Sequence, residues 1–317
     1  MSLFVRLGRV ALVPIVVTSA IHAQDSVAAR ADSTRPLGRA DYSTLIRAEQ
    51  EASYVSLPML GFGLPREPHK GKLLPLLYEG TIAPPFFIPF GRQPLLIALT
   101  PKVVLRQYAG GSYPVPPPSF MPRVTAYWWG WPYAPQSRLD SASYAFLRIG
   151  HHSNGQEGDY YTSSAPRQVD YYHGDFVTNY IEVGVSQRVL ARNLVDGAQT
   201  LSIEWHPQSW MNQYVRPVYG PLRVHLDGRL LLLRDVTALS GGVASLTYIA
   251  GPLAPNRRTL RSRLAFGYTL FSDFGLLGDF SMFASYYTGQ DYYNIRFDRN
   301  ISTFRIGALA GARRFPR

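Results

Sequence analysis

Between and after two proline-rich stretches, apolar and polar residues alternate along this chain with a period close to two. In TLSIEWH (200–206), Leu201, Ile203 and Trp205 interleave with Ser202, Glu204 and His206. In PLRVHLD (221–227), Leu222, Val224 and Leu226 interleave with Arg223, His225 and Asp227. In LRSRLAFGYTL (260–270), Leu260, Leu264, Phe266 and Tyr268 share one parity, and Arg261, Arg263, Gly267 and Thr269 the other. DFSMFASYY (279–287) and TFRIGALAG (303–311) repeat the pattern less strictly. Successive side chains of a strand point to opposite faces, so these segments predict strands with one apolar, aromatic face and one carrying Arg, Glu, Asp, His and Gly. Residues 24 to about 70 are mixed and polar, with a short helix expected around Tyr42 to Ala52. From about Lys72 the chain turns apolar and proline-rich, as in TIAPPFFIPFG (81–91). The second proline cluster, YPVPPPSFMP (113–122), reads as a long loop, because proline cannot donate to a strand ladder.

Two architectures produce this alternation. A soluble sandwich buries the apolar face, whereas a membrane barrel turns it to lipid and keeps the polar face in the lumen. Segments of about 8 to 12 residues match tilted bilayer-spanning strands, and the arginines recur on the polar face. The N-terminus reads MSLFVRLGRVALVPIVVTSAIHAQD, with Arg6 and Arg9 before the apolar run Val10–Ile21 and the small-residue site Ile21-His22-Ala23. The uncharged stretch Val10–Gln24 is 15 residues, short of the ~20 a spanning helix needs, so residues 1–23 are expected to be a cleaved export signal rather than an anchor. Cysteine is absent, so stability must come from packing or from a closed hydrogen-bonded wall. The 21 tyrosines, 16 phenylalanines and 27 glycines favour strands, aromatic belts and tight turns. The expected fold is an all-β, antiparallel transmembrane barrel occupying residues 71–317, after a polar segment 24–70. The net charge of +11 falls to +9 once Arg6 and Arg9 leave, which suits an anionic lipid surface. Nucleic acid would suit it too, but no recognition motif is present and export argues against it.

One short stretch carries chemistry: FLRIGHHSNGQEG (146–158). On a strand, Ala145, Leu147, Ile149, His151 and Ser153 share the apolar side, while Phe146, Arg148, Gly150, His152 and Asn154 share the other. In a barrel His151 and Ser153 therefore face outward, where polar side chains are costly unless they function. Their Cα atoms stand about 7 Å apart, close enough for the side chains to hydrogen-bond. A histidine so placed can take the seryl proton and return it to a leaving group, given a third group to fix its tautomer. In GDFVTNYIEVGVSQ (174–187), Asn179 shares the outward parity with Ile181, Val183 and Val185, whereas Glu182 lies on the polar side.

GHHSNG (150–155), the glycine- and serine-containing loop after it and the following TNYIEV (178–183) resemble outer-membrane phospholipase A. SMFASYYTGQDYYNIRFDRNISTFRIGALAG (281–311) is similar to the last two strands of that family. The resemblance implies a barrel of about twelve strands with an outward-facing triad, which here is Ser153, His151 and Asn179. It further implies calcium-dependent hydrolysis of acyl esters of membrane phospholipids (phospholipase A1 or A2) by a homodimer in the outer membrane. The oxyanion would be held by calcium and the backbone amide of Gly155. Calcium ligands implied by the family fall on the backbone of Gln156 and on one of Ser163, Ser164 and Asp175. Glu157, Asp159 and Asp170 add oxygen donors to the loop, which could equally be a solvated acidic loop. His173 reads as a loop residue. Two alternatives stay open. Lipid A deacylases share H-x-S-N with a glutamate as third member on smaller barrels, and a non-catalytic porin-like barrel would carry HHSNG as a polar turn.

Overall fold

The computed structural model describes residues 39–59, 66–69, 72–90, 93–109, 115–129, 142–163, 168–191, 195–232, 239–252, 257–266 and 280–310. The expected export signal and Ser164 lie outside them. Twelve strands form the wall: β1 (Ser53–Pro58), β2 (Lys72–Ile82, resuming at Phe86–Pro89), β3 (Leu95–Thr100, resuming at Val103–Tyr108) and β4 (Ser119–Phe120, resuming at Arg123–Trp128), then β5 (Ser143–Ser153), β6 (Val177–Ala191), β7 (Val195–Trp205) and β8 (Leu222–Leu232), then β9 (Leu239–Ala250), β10 (Arg258–Phe266), β11 (Phe280–Gln290) and β12 (Asn300–Ala310). Each pairs antiparallel with its neighbours in the chain, and β12 returns to β1 through Ser53↔Ala310 to Pro58↔Arg305, closing the barrel. Closure leaves no unpaired edge, which is the condition for a sheet to sit in lipid. No helix among the described residues is long and apolar enough to cross a membrane.

The alternation predicted for the wall is the one observed. Leu147, Ile149, Val183, Val185, Leu201, Ile203, Leu226, Leu246 and Leu264 are all exposed on the outside. A continuous apolar belt of this kind is unstable in water and is the lipid face of a barrel. An eleven-residue strand such as β5 runs roughly 36 Å at ~3.3 Å per residue, enough at a tilt of about 40° to cross the ~25 Å apolar band.

Two expectations are corrected. The wall starts at β1, inside the stretch 24–70 read as a polar segment, not at residue 71. The end of the second proline cluster, read as loop, belongs to β4. Proline explains the misreading. The registers of β2 with β3, β3 with β4 and β4 with β5 continue unchanged across each interruption. Pro84, Pro101 and Pro122 therefore stand opposite one another in one row, all exposed outward, and the row ends at His151. His151 N–H donates to the Pro122 carbonyl (3.0 Å), and Pro122 has no N–H to return. Each strand loses ladder bonds only at that level, so the wall is interrupted without opening.

Helix α1 (Arg39–Ala48) packs on the inner faces of β3, β4 and β5, near the end where β1 begins and β12 finishes. Ile46 is buried with Leu96, Ala98, Tyr127, Tyr144 and Phe146, and the Tyr42 ring stacks on Trp129 at 5.1 Å. Just past the helix, Glu49 accepts from Tyr144 and Ser186, Gln50 donates to Tyr127 (3.1 Å), and Glu51 pairs with Lys102 (2.9 Å) and Arg123 (3.5 Å). Deeper in the lumen Glu79 is shared by Arg106 and Arg305, and Asp291 pairs with Arg106. At the opposite end, Tyr160, Phe176, Met211, Val215, Tyr219, Ile295 and Phe297 join three loops into an apolar cap. The candidate site residues Ser153, His151 and Asn179 lie at this capped rim.

Candidate active site

Strand β5 rises to the capped rim and ends at Ser153; β6 starts beside it. Their register sets Asn179 opposite His151 and Val177 opposite Ser153. Because all three polar residues share the outward parity, the side chains meet without any special loop geometry. His151 Nε2 lies 2.8 Å from Ser153 Oγ, and His151 Nδ1 lies 2.7 Å from Asn179 Oδ1. Asn179 Nδ2 donates to the Trp210 carbonyl at 3.5 Å, which turns Oδ1 toward the imidazole. That orientation makes Nδ1 the donor to Asn179 and leaves Nε2 to accept from the serine hydroxyl. The arrangement can draw a proton off Oγ and hold the ring while it is charged. All three residues are half-buried, open to the outside of the wall.

The flanks of this run are specific. Phe120 of β4 pairs with Ser153 and projects outward beside it. Its ring would also stand 3.2 Å from a Cβ on Gly155, a tight contact. Gly155 has φ +66°, a left-handed conformation costing a side-chain-bearing residue about 1 kcal/mol or more. On the lumen side, the Tyr180 ring crosses over Gly150, its register partner, and backs the His151–Asn179 pair.

The inward residues of the motif serve the cap. His152 is 1% exposed, its ring 4.9 Å from Phe176 and 5.5 Å from Phe297, with Nδ1 3.3 Å from the Tyr219 hydroxyl. Asn154 is equally buried. Its Nδ2 donates to the Gly174 carbonyl and to Asn294 Oδ1, both at 2.8 Å, and its Oδ1 accepts from Phe176 N–H (3.3 Å) and Gln156 N–H (3.4 Å). Asn154 thus ties both ends of the 154–176 loop to the loop that follows β11. Its inward parity was the available signal for a structural role, and the sequence reading did not use it. Trp210 and Phe120, contributed by other elements, had no local signal.

Within the loop, Gly158 bridges to Gly174 and Tyr161 to Val169, forming a folded-back arm. Asp159 and Asp175 follow the paired glycines and end up near each other at the base of the arm. Burial, helped by the neighbouring Asp159 carboxylate, pushes the Asp175 carboxyl above its ordinary pKa. Burial also raises Asp170, but the N–H groups of His173 and Tyr172, each 3.0 Å away, outweigh it and hold that carboxyl low. Gln156 is half-buried next to the motif. Ser163 is exposed beyond the Tyr161–Val169 bridge, at the outer end of the arm. His173 is exposed and pairs with Asp170. Among the described residues no three His, Asp or Glu side chains converge on a metal-sized site. Glu182 lies in the lumen, bonded to Arg148 and to Ser202 (2.7 Å).

No family model matches the sequence, and no curated protein matches it. Solved structures do. Outer membrane phospholipase A from Escherichia coli superposes with a TM-score of 0.52 at 10% identity, over 82% of this chain and 92% of that one. The Salmonella typhi outer membrane phospholipase, a dimer with bound calcium, gives 0.50 at 10% identity, over 82% and 90%. At such identity the likeness is one of fold. The chain has the twelve-stranded closed barrel fold of outer membrane phospholipase A.

Proposed function

We propose that this protein is an outer-membrane phospholipase A, cutting an acyl ester of membrane phospholipids with Ser153 as nucleophile. The observation that supports this most directly is the hydrogen-bonded run Ser153–His151–Asn179 on the lipid-facing side of the rim. His151 Nε2 takes the Oγ proton as the oxygen attacks the ester carbonyl, then gives it to the departing lysophospholipid oxygen. Water enters by the same exchange and releases the fatty acid. Asn179 keeps Nδ1 protonated and the ring oriented throughout; being neutral, it stabilises imidazolium less than an aspartate would. The Gly155 N–H is the backbone donor for the oxyanion, its position set by the left-handed turn. An ester at the membrane surface reaches Ser153 without leaving the bilayer.

Calcium belongs to this reading. The Asp159–Asp175 pair fits a hard cation, since Asp175 is held in a position where its own charge is disfavoured until a cation answers it. Asp159, Asp175 and the Gln156 carbonyl would hold the ion; Ser163 sits at the wrong end of the arm. An ion held there would supply Lewis-acidic charge to the acyl oxyanion. The active form in this reading is a homodimer.

A lipid A deacylase would use a glutamate as third member. Glu182, the one carboxylate of β6, points into the lumen and is already bonded to Arg148 and Ser202, which favours the phospholipase. The deciding experiment is reaction of the folded protein with a long-chain sulfonyl fluoride, peptide mapping of the label, and hydrolysis of phospholipid against lipid A. Label on Ser153 and turnover of phospholipid support the reading. Absence of labelling and turnover would leave a passive barrel.

A further inference from the structure

Among the described residues, one part of the lumen holds more cations than the carboxylates paired with them can answer. Around mid-barrel, the ion pairs that Arg106, Arg305, Arg261, Lys102 and Arg123 make among the described residues are with Glu79, Asp291 and Glu51, each of which is already engaged. Glu79 serves Arg106 and Arg305, Asp291 serves Arg106, and Glu51 serves Lys102, Arg123 and Arg261. The inward Asp227 of β8 is offset by the inward Arg229 on the same strand. Arg263 is left with no ion pair among the described residues; its guanidinium lies 5.9 Å from the Phe283 ring.

One concentration of the surplus lies between β10 and β12. The register pairs Arg263 with Ser285 and Ser285 with Arg305, so the two arginines project from alternate strands into the lumen with a small serine between them. Strands two apart are separated by roughly 10 Å, which leaves a gap above Ser285. Arg263, Arg305, Arg261, Ser285 and Tyr292 line a cavity of about 10 Å³ there, the space of one water-sized occupant. Three buried N–H donors near it, Arg263 Nη1 and Arg305 Nε and Nη2, have no acceptor among the described residues. Guanidinium has donors only, so nothing in this set can satisfy another member of it.

We propose that this cavity is a binding site for a monatomic anion, a halide such as chloride. The donors demand an acceptor, the local excess of guanidinium favours an anion, and space for about one water-sized occupant suits a monatomic ion better than a polyatomic one. The halide neutralises the arginine surplus inside the wall. The site is on the lumen side, away from Ser153, and stands apart from the proposed hydrolysis.

Thermal unfolding of the full chain, folded in detergent, tests this in sodium chloride against sodium gluconate or phosphate at equal ionic strength. Chloride should raise the midpoint by about 3 °C and saturate, as ligand linkage requires, while gluconate and phosphate should not. Arg263→Leu should lose that chloride dependence and unfold at a higher temperature than wild type in gluconate, because an unanswered guanidinium has been removed. Crystals soaked in bromide supply a measurement that needs no variant: an anomalous peak between Arg263 and Arg305 is expected. Equal midpoints in chloride and gluconate, or a cavity holding only water after the bromide soak, would overturn the proposal.

Discussion

His151 and His152 are neighbours in the chain with opposite surroundings, one bonded to Ser153 on the outside and one buried among Phe176, Tyr219 and Phe297. Substituting them should therefore give different losses. His151→Ala is expected to take phospholipid hydrolysis to background while the thermal midpoint stays near that of wild type. His152→Ala should lower the midpoint, since it empties a packed site, a change of about 2–4 kcal/mol, yet the protein that remains folded should turn over within about threefold of wild type. Equal kinetic losses at both positions would mean that the parity of β5 has been misassigned. The third member is tested in the same way. Asn179→Ala should reduce kcat by roughly 10- to 1000-fold without removing activity, because nucleophile and base persist. Glu182→Gln should leave kcat within about threefold and act on stability, since it breaks a lumenal pair with Arg148. These side chains were legible in the sequence for a plain reason: a strand alternates, so residues 151, 153 and 179 could be sorted from 152 and 182 once the apolar parity was known. Asn154 was not legible as a keystone, because its four partners come from two loops whose course no local pattern reveals.

At the level of elements, β5 to β8 and β10 to β12 were readable because lipid on one side and a polar lumen on the other impose a period of two. The glycine- and serine-rich β9 gave no such signal. Strands β2 to β4 were hidden by Pro84, Pro101 and Pro122. Proline argues against a central strand when read alone, and only the register shows three of them sharing one level. The arm at 158–174, with the Asp159–Asp175 pair proposed to hold calcium, is an element whose behaviour should depend on pH. Asp175 has a raised carboxyl pKa, so a cation must displace more protons there as the solution becomes more acid. Calorimetric titration of the inactive Ser153→Ala protein should show calcium affinity falling as pH is lowered through that raised pKa. Asp175→Asn should weaken calcium by roughly tenfold or more and flatten the pH dependence. In metal-free protein the sign reverses: the contribution of Asp175 to arm stability is present while it is protonated and is lost as pH rises through its folded-state value. Affinity independent of pH and unaltered by Asp175→Asn would move the ion away from this carboxylate.

Across the whole molecule, two pieces of machinery are kept at opposite ends of one wall. Helix α1 fills the lumen beside the beginnings of β3 and β5, and the proposed active site sits on the outer surface at the far rim. The connection between them is the wall itself, whose ladders are continuous through β5 and β6 from Ser143↔Gln187 to Ser153↔Val177. Register, and with it the facing of His151 and Asn179, is fixed by those ladders and by the apolar belt, neither of which needs the helix. The helix instead supplies buried apolar area: Tyr42, Leu45 and Ile46 are each at most 3% exposed, and burying such a side chain is worth about 1.5–3 kcal/mol. Ile46→Asp would place an unanswered carboxylate against Leu96, Tyr127 and Phe146. It should lower the urea midpoint and open the lumen end to protease, while hydrolysis by the protein still folded stays within about twofold of wild type. Measuring both on the same preparation separates the roles. If kcat falls in step with occupancy of the helix, the lumen plug sets the geometry of the outer site, and the wall is not the rigid carrier that its pairing describes.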